Sequence, residues 1–291
     1  MYKEVTIPMI KTLAKSIREH KWVALLSPLC MVGEVYMETK IPRVLSLIVD
    51  QGVTPGDIGA VFGNGLLLVL LCAVFAMWTS WNVNSTFKKY AQQISRRRLT
   101  GAQAAQRVLN ANGVTGVRIE RIAGELTDHF DPKTNVIRLS QGVYDSASTA
   151  AIGVACHEAG HAVQYALGYA PIKLRAAIIP LTNFGTKIAW PLMLLGILLA
   201  GMSQVFYNLV YVGIACFSLS LVFQLITLPV EFNASRRAVA AIEEGGILYD
   251  DELAGAKKTL RAAALTYVAA AATSLAQLLR LLAIYGRRRR N

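Results

Sequence analysis

The sequence predicts a predominantly α-helical, multi-span membrane protein that carries a small α+β domain, and three observations predict it. Hydrophobic residues make up 54% of the 291-residue chain and fall in long, almost uncharged runs, with a positive mean hydropathy. A more polar stretch from Asn82 to Lys187 separates two sets of these runs and mixes helical with strand-like periodicity. Within that stretch stands His157-Glu158-Ala159-Gly160-His161, embedded in the apolar, helix-forming run Ala150 to Leu167.

Ile7 to Trp22 alternates apolar and basic residues as an interfacial amphipathic helix does. Val23 to Val49 is an imperfect span, interrupted by Glu34, Glu38, Lys40, Pro42 and Arg43, and Asp50 to Asp57 is a loop. Ile58 to Trp81 is a cleaner crossing. Thr100 caps a helix running to Asn112, with Gly113 suited to a left-handed stop. Val117 to Ile122 and Asn135 to Leu139 alternate as strands, with a turn at Asp131 to Asn135. The motif helix follows. Ile188 to Met202 and Leu209 to Leu228 are two further spans joined by the uncharged loop Ser203 to Asn208. Glu231 to Gly245 resumes helix. Ala262 to Ile284 is a last long helix that lies at the interface or packs on the others, since a full crossing would put Arg287 to Arg290 on the wrong side.

The net charge of +12 raises nucleic acid as a partner. The cations instead flank the hydrophobic runs, as in Lys88-Lys89, Arg96-Arg97-Arg98 and Arg287 to Arg290, which is the positive-inside pattern and an attraction for anionic lipid. No nucleic-acid motif accompanies them. The partners expected are the lipid bilayer and a peptide or unfolded protein substrate. Cys30, Cys72, Cys156 and Cys216 form no CxxC, so neither a disulfide framework nor a cysteine zinc site is expected, and Cys156 is a packing residue. No cleavable signal peptide is expected at the start of the chain. With a cytoplasmic N-terminus, two crossings return the chain at Asn82 to the cytoplasm. The domain then faces inward in a multi-pass bacterial plasma-membrane protein, and the chain returns there before Glu231.

The pentapeptide carries the chemistry. At 3.6 residues per turn His157 and His161 stack on one helix face, where two imidazoles can share one metal ion. Glu158, about 100° round the helix, is within reach of a water activated there and can take its proton. Neutral imidazoles suit zinc, and three protein ligands leave a position open for catalysis. Two of the chain's four histidines fall in these five residues, which favours chemistry over chance. Candidates for the third ligand are His129, Asp128, Asp131 and Glu231. Glu231 at the start of a helix could instead complement its dipole after Pro229.

The chain resembles the YugP-type neutral zinc metallopeptidases, a family of multi-span bacterial membrane proteins. The likeness rests on Ser85-Thr86-Phe87-Lys88-Lys89-Tyr90, Leu99-Thr100-Gly101-Ala102, Leu126 to Pro132, Arg138-Leu139-Ser140 with Val143-Tyr144, Ala151 to Ala155 before the motif, and Leu228 to Ala238. The resemblance implies a zincin-like metallopeptidase domain over residues 61–290, one zinc per chain held by His157, His161 and Glu231, and Glu158 as base. The run Glu231-Phe232-Asn233-Ala234-Ser235 is also similar to the E-x-x-x-D element of HtpX-like gluzincins, with Ser235 where those carry aspartate. A serine can still bond a ligand but brings no charge. Residues 1–60 resemble the elbow and first membrane helix of an ABC exporter, an extra span or fusion, without any phosphate-binding loop.

The expected activity is zinc-dependent endopeptidase cleavage. His129, Tyr144, Arg236 and Arg237 are candidate transition-state donors, Ser235 a candidate partner for a ligand, and the strand Asn135 to Leu139 a candidate for binding an extended peptide by strand addition. Two rival classes remain open: a membrane scaffold with a structural zinc closed by a fourth ligand, and a transporter fragment.

Overall fold

The computed structural model describes residues 58–199 and 203–285, together with Val44 and Leu47. The expected amphipathic helix at Ile7 to Trp22, nearly all of the span at Val23 to Val49, and Arg287 to Arg290 lie outside the described residues. The chain divides into two compact units, Met1–Leu71 and Cys72–Asn291, and the site belongs wholly to the second.

The described elements are helices α1 (Ile58–Ala91), α2 (Gly101–Ala111), α3 (Gln141–Tyr144), α4 (Thr149–Ala166), α5 (Ala170–Leu198), α6 (Gln204–Glu244) and α7 (Asp250–Tyr285), with strands β1 (Arg118–Ile122), β2 (His129–Asp131) and β3 (Val136–Ser140). Most of the protein is helical, and a small three-stranded sheet makes the α+β part. Gln103 and Thr100 form a reciprocal cap at the start of α2, and Gly113 adopts φ 66° just past its end, as its sequence predicts.

The sheet order is β1-β3-β2, with β3 parallel to β1 and antiparallel to β2. This corrects one expectation. The strand at 135–139 is the central one, with Ile137 opposite Ile119 on one side and Phe130 on the other, so its backbone has no free edge to offer a peptide. The free edges belong to β1 and to β2, and the three residues of β2, between a turn and a loop, did not announce a strand.

α4 runs through the middle of the domain. Ile152, Ala155, Cys156, Ala159 and Val163 meet Val108 and Leu109 of α2, Ile137 and Leu139 of β3, Ala238 and Ile242 of α6, and Ala256 and Leu260 of α7. A helix apolar nearly all round is one buried on every side, which is why the motif sits in a run that looks like a membrane segment. Burial pushes the Cys156 thiol up, as befits an inert packing residue.

Four described helices are long and apolar enough to cross a membrane: α1 from Gly63, α5, α6, and α7 as far as Leu282. Two points, the start of α5 and the continuity of α6, differ from the sequence expectations, while the packing of α7 on another helix agrees with them. α5 begins at Ala170, so residues 170–187 belong to a membrane-length helix and not to the polar domain; Lys173, Arg175 and Lys187 had disguised it. α6 is one continuous 41-residue helix with Pro229 inside it, so Glu231 lies far from a helix start and cannot act as a dipole cap. α7 runs the length of α6: the Tyr207 and Tyr211 hydroxyls near the start of α6 donate to the Tyr285 carbonyl at 3.3 and 2.9 Å.

Candidate active site

The site is made where α4 crosses α6. Ser148 starts α4 by accepting the Ala151 N–H at 3.2 Å, which fixes the phase of the helix and hence of its histidines. Gly160, between the two histidines, is the point of closest approach: a Cβ there would lie 2.8 Å from the Ala234 carbonyl oxygen of α6. Any side chain at this position would push the two backbones apart. The glycine therefore sets the distance between the histidines and Glu231.

At that distance the three side chains converge. Glu231 Oε2 lies 3.2 Å from His157 Nε2 and 3.4 Å from His161 Nε2, and the ligand atoms of the three all fall within 4.8 Å of one another. The donor set, two imidazole nitrogens and one carboxylate oxygen, is one that holds zinc with a position to spare. Among the described residues His129 is not in this group. It stands exposed on β2 with Nδ1 2.8 Å from the Thr127 carbonyl.

The atoms behind the ligands decide which lone pairs they present. Gln164 is fully buried; its Nε2 donates to the Val230 carbonyl at 2.9 Å and to Asn233 Oδ1 at 3.0 Å. A backbone carbonyl can only accept, so the Gln164 amide oxygen must face His161 Nδ1, 3.0 Å away. That makes His161 Nδ1 a protonated nitrogen, so Nε2, which faces Glu231, is the nitrogen available to a metal. Arg237 Nε donates to the same Asn233 Oδ1 at 2.8 Å and holds it in place. His157 has a simpler partner: Ser235 Oγ at 3.1 Å from its Nδ1.

Glu231 is divided in the same way. Oε2 faces the histidines, while Oε1 accepts from Arg175 Nη1 of α5 at 2.7 Å. The guanidinium occupies one oxygen and leaves the other for a single ligand bond.

Asp128 lies on the other side of the opening, accepting from the Ser140 N–H at 2.7 Å and from its hydroxyl. Burial pushes its carboxyl up; the Ser140 bonds pull against this and the charge of Glu158 adds to it. Asp131 stays well below the usual carboxylate range because Thr134, Arg138 and the Lys133 N–H all donate to it. Glu158, nearly buried, faces a cavity of about 300 Å³ whose walls include Asp128, His129, Phe130, Arg175 and Tyr267.

The structure thus brings together His157, Glu158, His161 and Glu231, with Ser235 behind His157 and His129 at the rim. It does not bring in the other three. Tyr144 packs against the domain core, Arg236 is exposed away from the cavity, and Arg237 is turned back onto Asn233. Sequence reasoning missed Gln164, Arg175, Asn233 and Tyr267. Two carried a signal: Gln164 is three residues after His161 on the same helix face, and Arg175 is a cation inside a membrane-length helix.

Residues 65–286 match the family model described as "Putative neutral zinc metallopeptidase". The chain belongs to this family. It is also 44% identical over 220 residues to the protein named "Putative membrane protease YugP" of Bacillus subtilis (strain 168), a match covering 76% of this chain and 96% of that one. No solved structure matches. The metallopeptidase match begins after residues 1–60 and takes in every residue of the site, together with all four membrane-length helices apart from the first turns of α1.

Proposed function

We propose that this family member is a membrane-bound zinc endopeptidase in which His157, His161 and Glu231 hold one zinc ion and Glu158 is the general base. The observation that carries the reading is the convergence of the three ligand atoms within 4.8 Å beside a cavity that Glu158 faces. The chemistry zinc supplies when bound is to polarise the scissile carbonyl and to acidify a water molecule to a pKa of about 7. Glu158 accepts the proton of the attacking water and returns it to the leaving amine. Gln164 fixes His161 with Nδ1 protonated and Nε2 toward the metal, Ser235 accepts from His157 Nδ1 when that imidazole offers Nε2, and Arg175 holds Glu231 to one ligating oxygen.

The free edge of β2 borders the cavity through His129 and Phe130, and an extended peptide added there lies across the site. His129 is the donor in reach of a developing oxyanion at that rim. The site faces the cytoplasm. Lys88, Lys89, Arg96, Arg97, Arg98, Lys257, Lys258 and Arg261 crowd the domain end of the membrane-length helices and outnumber Arg287 to Arg290 at the chain terminus. The hairpin of α5 and α6 contributes two crossings between His161 and Glu231, as a one-sided site requires.

A structural zinc would need a closed fourth position. The described group has three members and opens onto the cavity, which favours catalysis. The test is elemental mass spectrometry on detergent-purified protein, followed by peptide cleavage by wild type and Glu158→Gln. One zinc per chain in both proteins, with cleavage only in wild type, is the expected result. Absence of zinc after reconstitution, or full activity in Glu158→Gln, overturns the proposal.

A further inference from the structure

We infer that the substrate is a polypeptide segment emerging from the bilayer, cut next to an apolar residue that rests on Ile172, Ala176 and Ile179 of α5; this rests on the metallopeptidase reading above. The cavity lies between two walls. On the domain side stand Asp128 and His129 with Phe130, Pro132 and Tyr165, while on the α5 side Ile172, Ala176 and Ile179 form an i, i+4, i+7 stripe. α5 is not a domain helix: it is long and apolar enough to cross the membrane.

Along the stripe, exposure rises from 5% at Ile172 to 37% at Ile179, and further along the helix Leu181 and Phe184 are exposed apolar residues on its other faces. The seven steps from Ile172 to Ile179 rise about 10 Å. The apolar wall of the cavity therefore opens at Ile179 onto the exposed surface of a membrane-length helix, and Asn183 and Lys187 follow it on the same face. An apolar side chain moving from lipid onto Ile179 and Ile172 would stay in apolar surroundings.

Polar groups finish the same boundary. Arg175, on the turn between Ile172 and Ile179, binds Glu231 and keeps 30% of its side chain exposed, and Tyr267 of α7 faces the cavity from another membrane-length helix. Cationic and phenolic groups at such a depth mark where the hydrocarbon gives way to water. The peptide bond presented to Glu158 is then the first one outside the hydrocarbon. A bilayer-anchored substrate also gains effective concentration by confinement to the same plane.

The test uses the full-length, zinc-loaded protein in phosphatidylethanolamine–phosphatidylglycerol vesicles. The substrates carry one cleavable, apolar-centred segment about 3, 10 or 25 residues from a single membrane helix, with the same segment as a soluble peptide and Glu158→Gln as control. The expected result is cleavage at the nearest position at least about tenfold faster than at the farthest or in the soluble peptide. Ala176→Phe, which fills the wall, shifts the preferred residue at the cut from large apolar to small. Cleavage that depends on Glu158 but is equal at all distances overturns this inference and leaves the metallopeptidase standing. An unchanged side-chain preference in Ala176→Phe overturns the wall assignment. Absence of any Glu158-dependent cleavage, soluble peptide included, overturns both.

Discussion

His157 and His161 stand one turn apart on one helix and aim at one carboxylate, yet the protein backs them differently. Behind His161 is a closed set of buried amides, Gln164 and Asn233, anchored on the Val230 carbonyl and on Arg237. Behind His157 is one serine hydroxyl. An amide locked by a backbone acceptor can face its histidine in only one way, whereas a hydroxyl can rotate and either donate or accept. The His161 side is thus fixed before any metal arrives, and the His157 side is not.

Several substitutions break or sharpen that contrast. Glu231→Gln removes the charge both imidazoles share and has the largest effect: zinc is lost on dialysis, read as metal content falling from one per chain to near zero. Gln164→Leu empties the rigid side and leaves the Val230 carbonyl and Asn233 short of a donor, so zinc affinity by competitive chelator titration falls about 10–100-fold. A loss no greater than that of Ser235→Ala would abolish the distinction between the two sides. Arg175→Met removes a charge-assisted bond from a buried carboxylate and costs the apo protein about 2 kcal/mol. The zinc-loaded protein loses less, because the metal also balances Glu231; thermal melts with and without zinc compare them. Ser235→Ala costs zinc affinity less than about tenfold, and Ser235→Asp raises it, since a carboxylate would orient His157 as firmly as Gln164 orients His161.

The smallest effect lies outside the site. The Asp131 carboxyl sits below its ordinary value of 3.8 in the folded protein, so it contributes stability that is complete above that value and lost as pH falls through the lower, folded one. Asp131→Asn therefore lowers stability slightly at neutral pH, where the contribution is complete, and flattens its fall below about pH 4, as unfolding curves at both would record. Unchanged acid sensitivity would show that the Arg138 and Thr134 bonds do not hold this turn.

Much of this was legible in the chain. The helical spacing of His157 and His161, the Thr100 cap and the apolar runs act over a few residues, and they read directly. Glu231 was reachable only through resemblance, because no local signal ties it to a motif 70 positions earlier. The role of β3 escaped because alternation tells which residues are buried but not how many neighbours a strand has; β2, at three residues, is too short to alternate visibly. Arg175 and Lys187 hid the start of α5, since a cation lowers a hydropathy window whether it faces water or a buried carboxylate. The domain boundary was misplaced by the same residue that turned out to hold the third candidate ligand.

The crossing of α4 and α6 at Gly160 has a consequence for how the protein is made. The two histidines leave the ribosome first, then the α5–α6 hairpin, and only then the residue that completes the group. Until the hairpin is threaded into the bilayer and doubles back, Glu231 cannot come beside Gly160. A half-made or misinserted chain holds two histidines without the carboxylate, so under the proposed function a nascent copy would have no hydrolytic centre and would be harmless to its neighbours. Metal uptake during synthesis would report that insertion is finished.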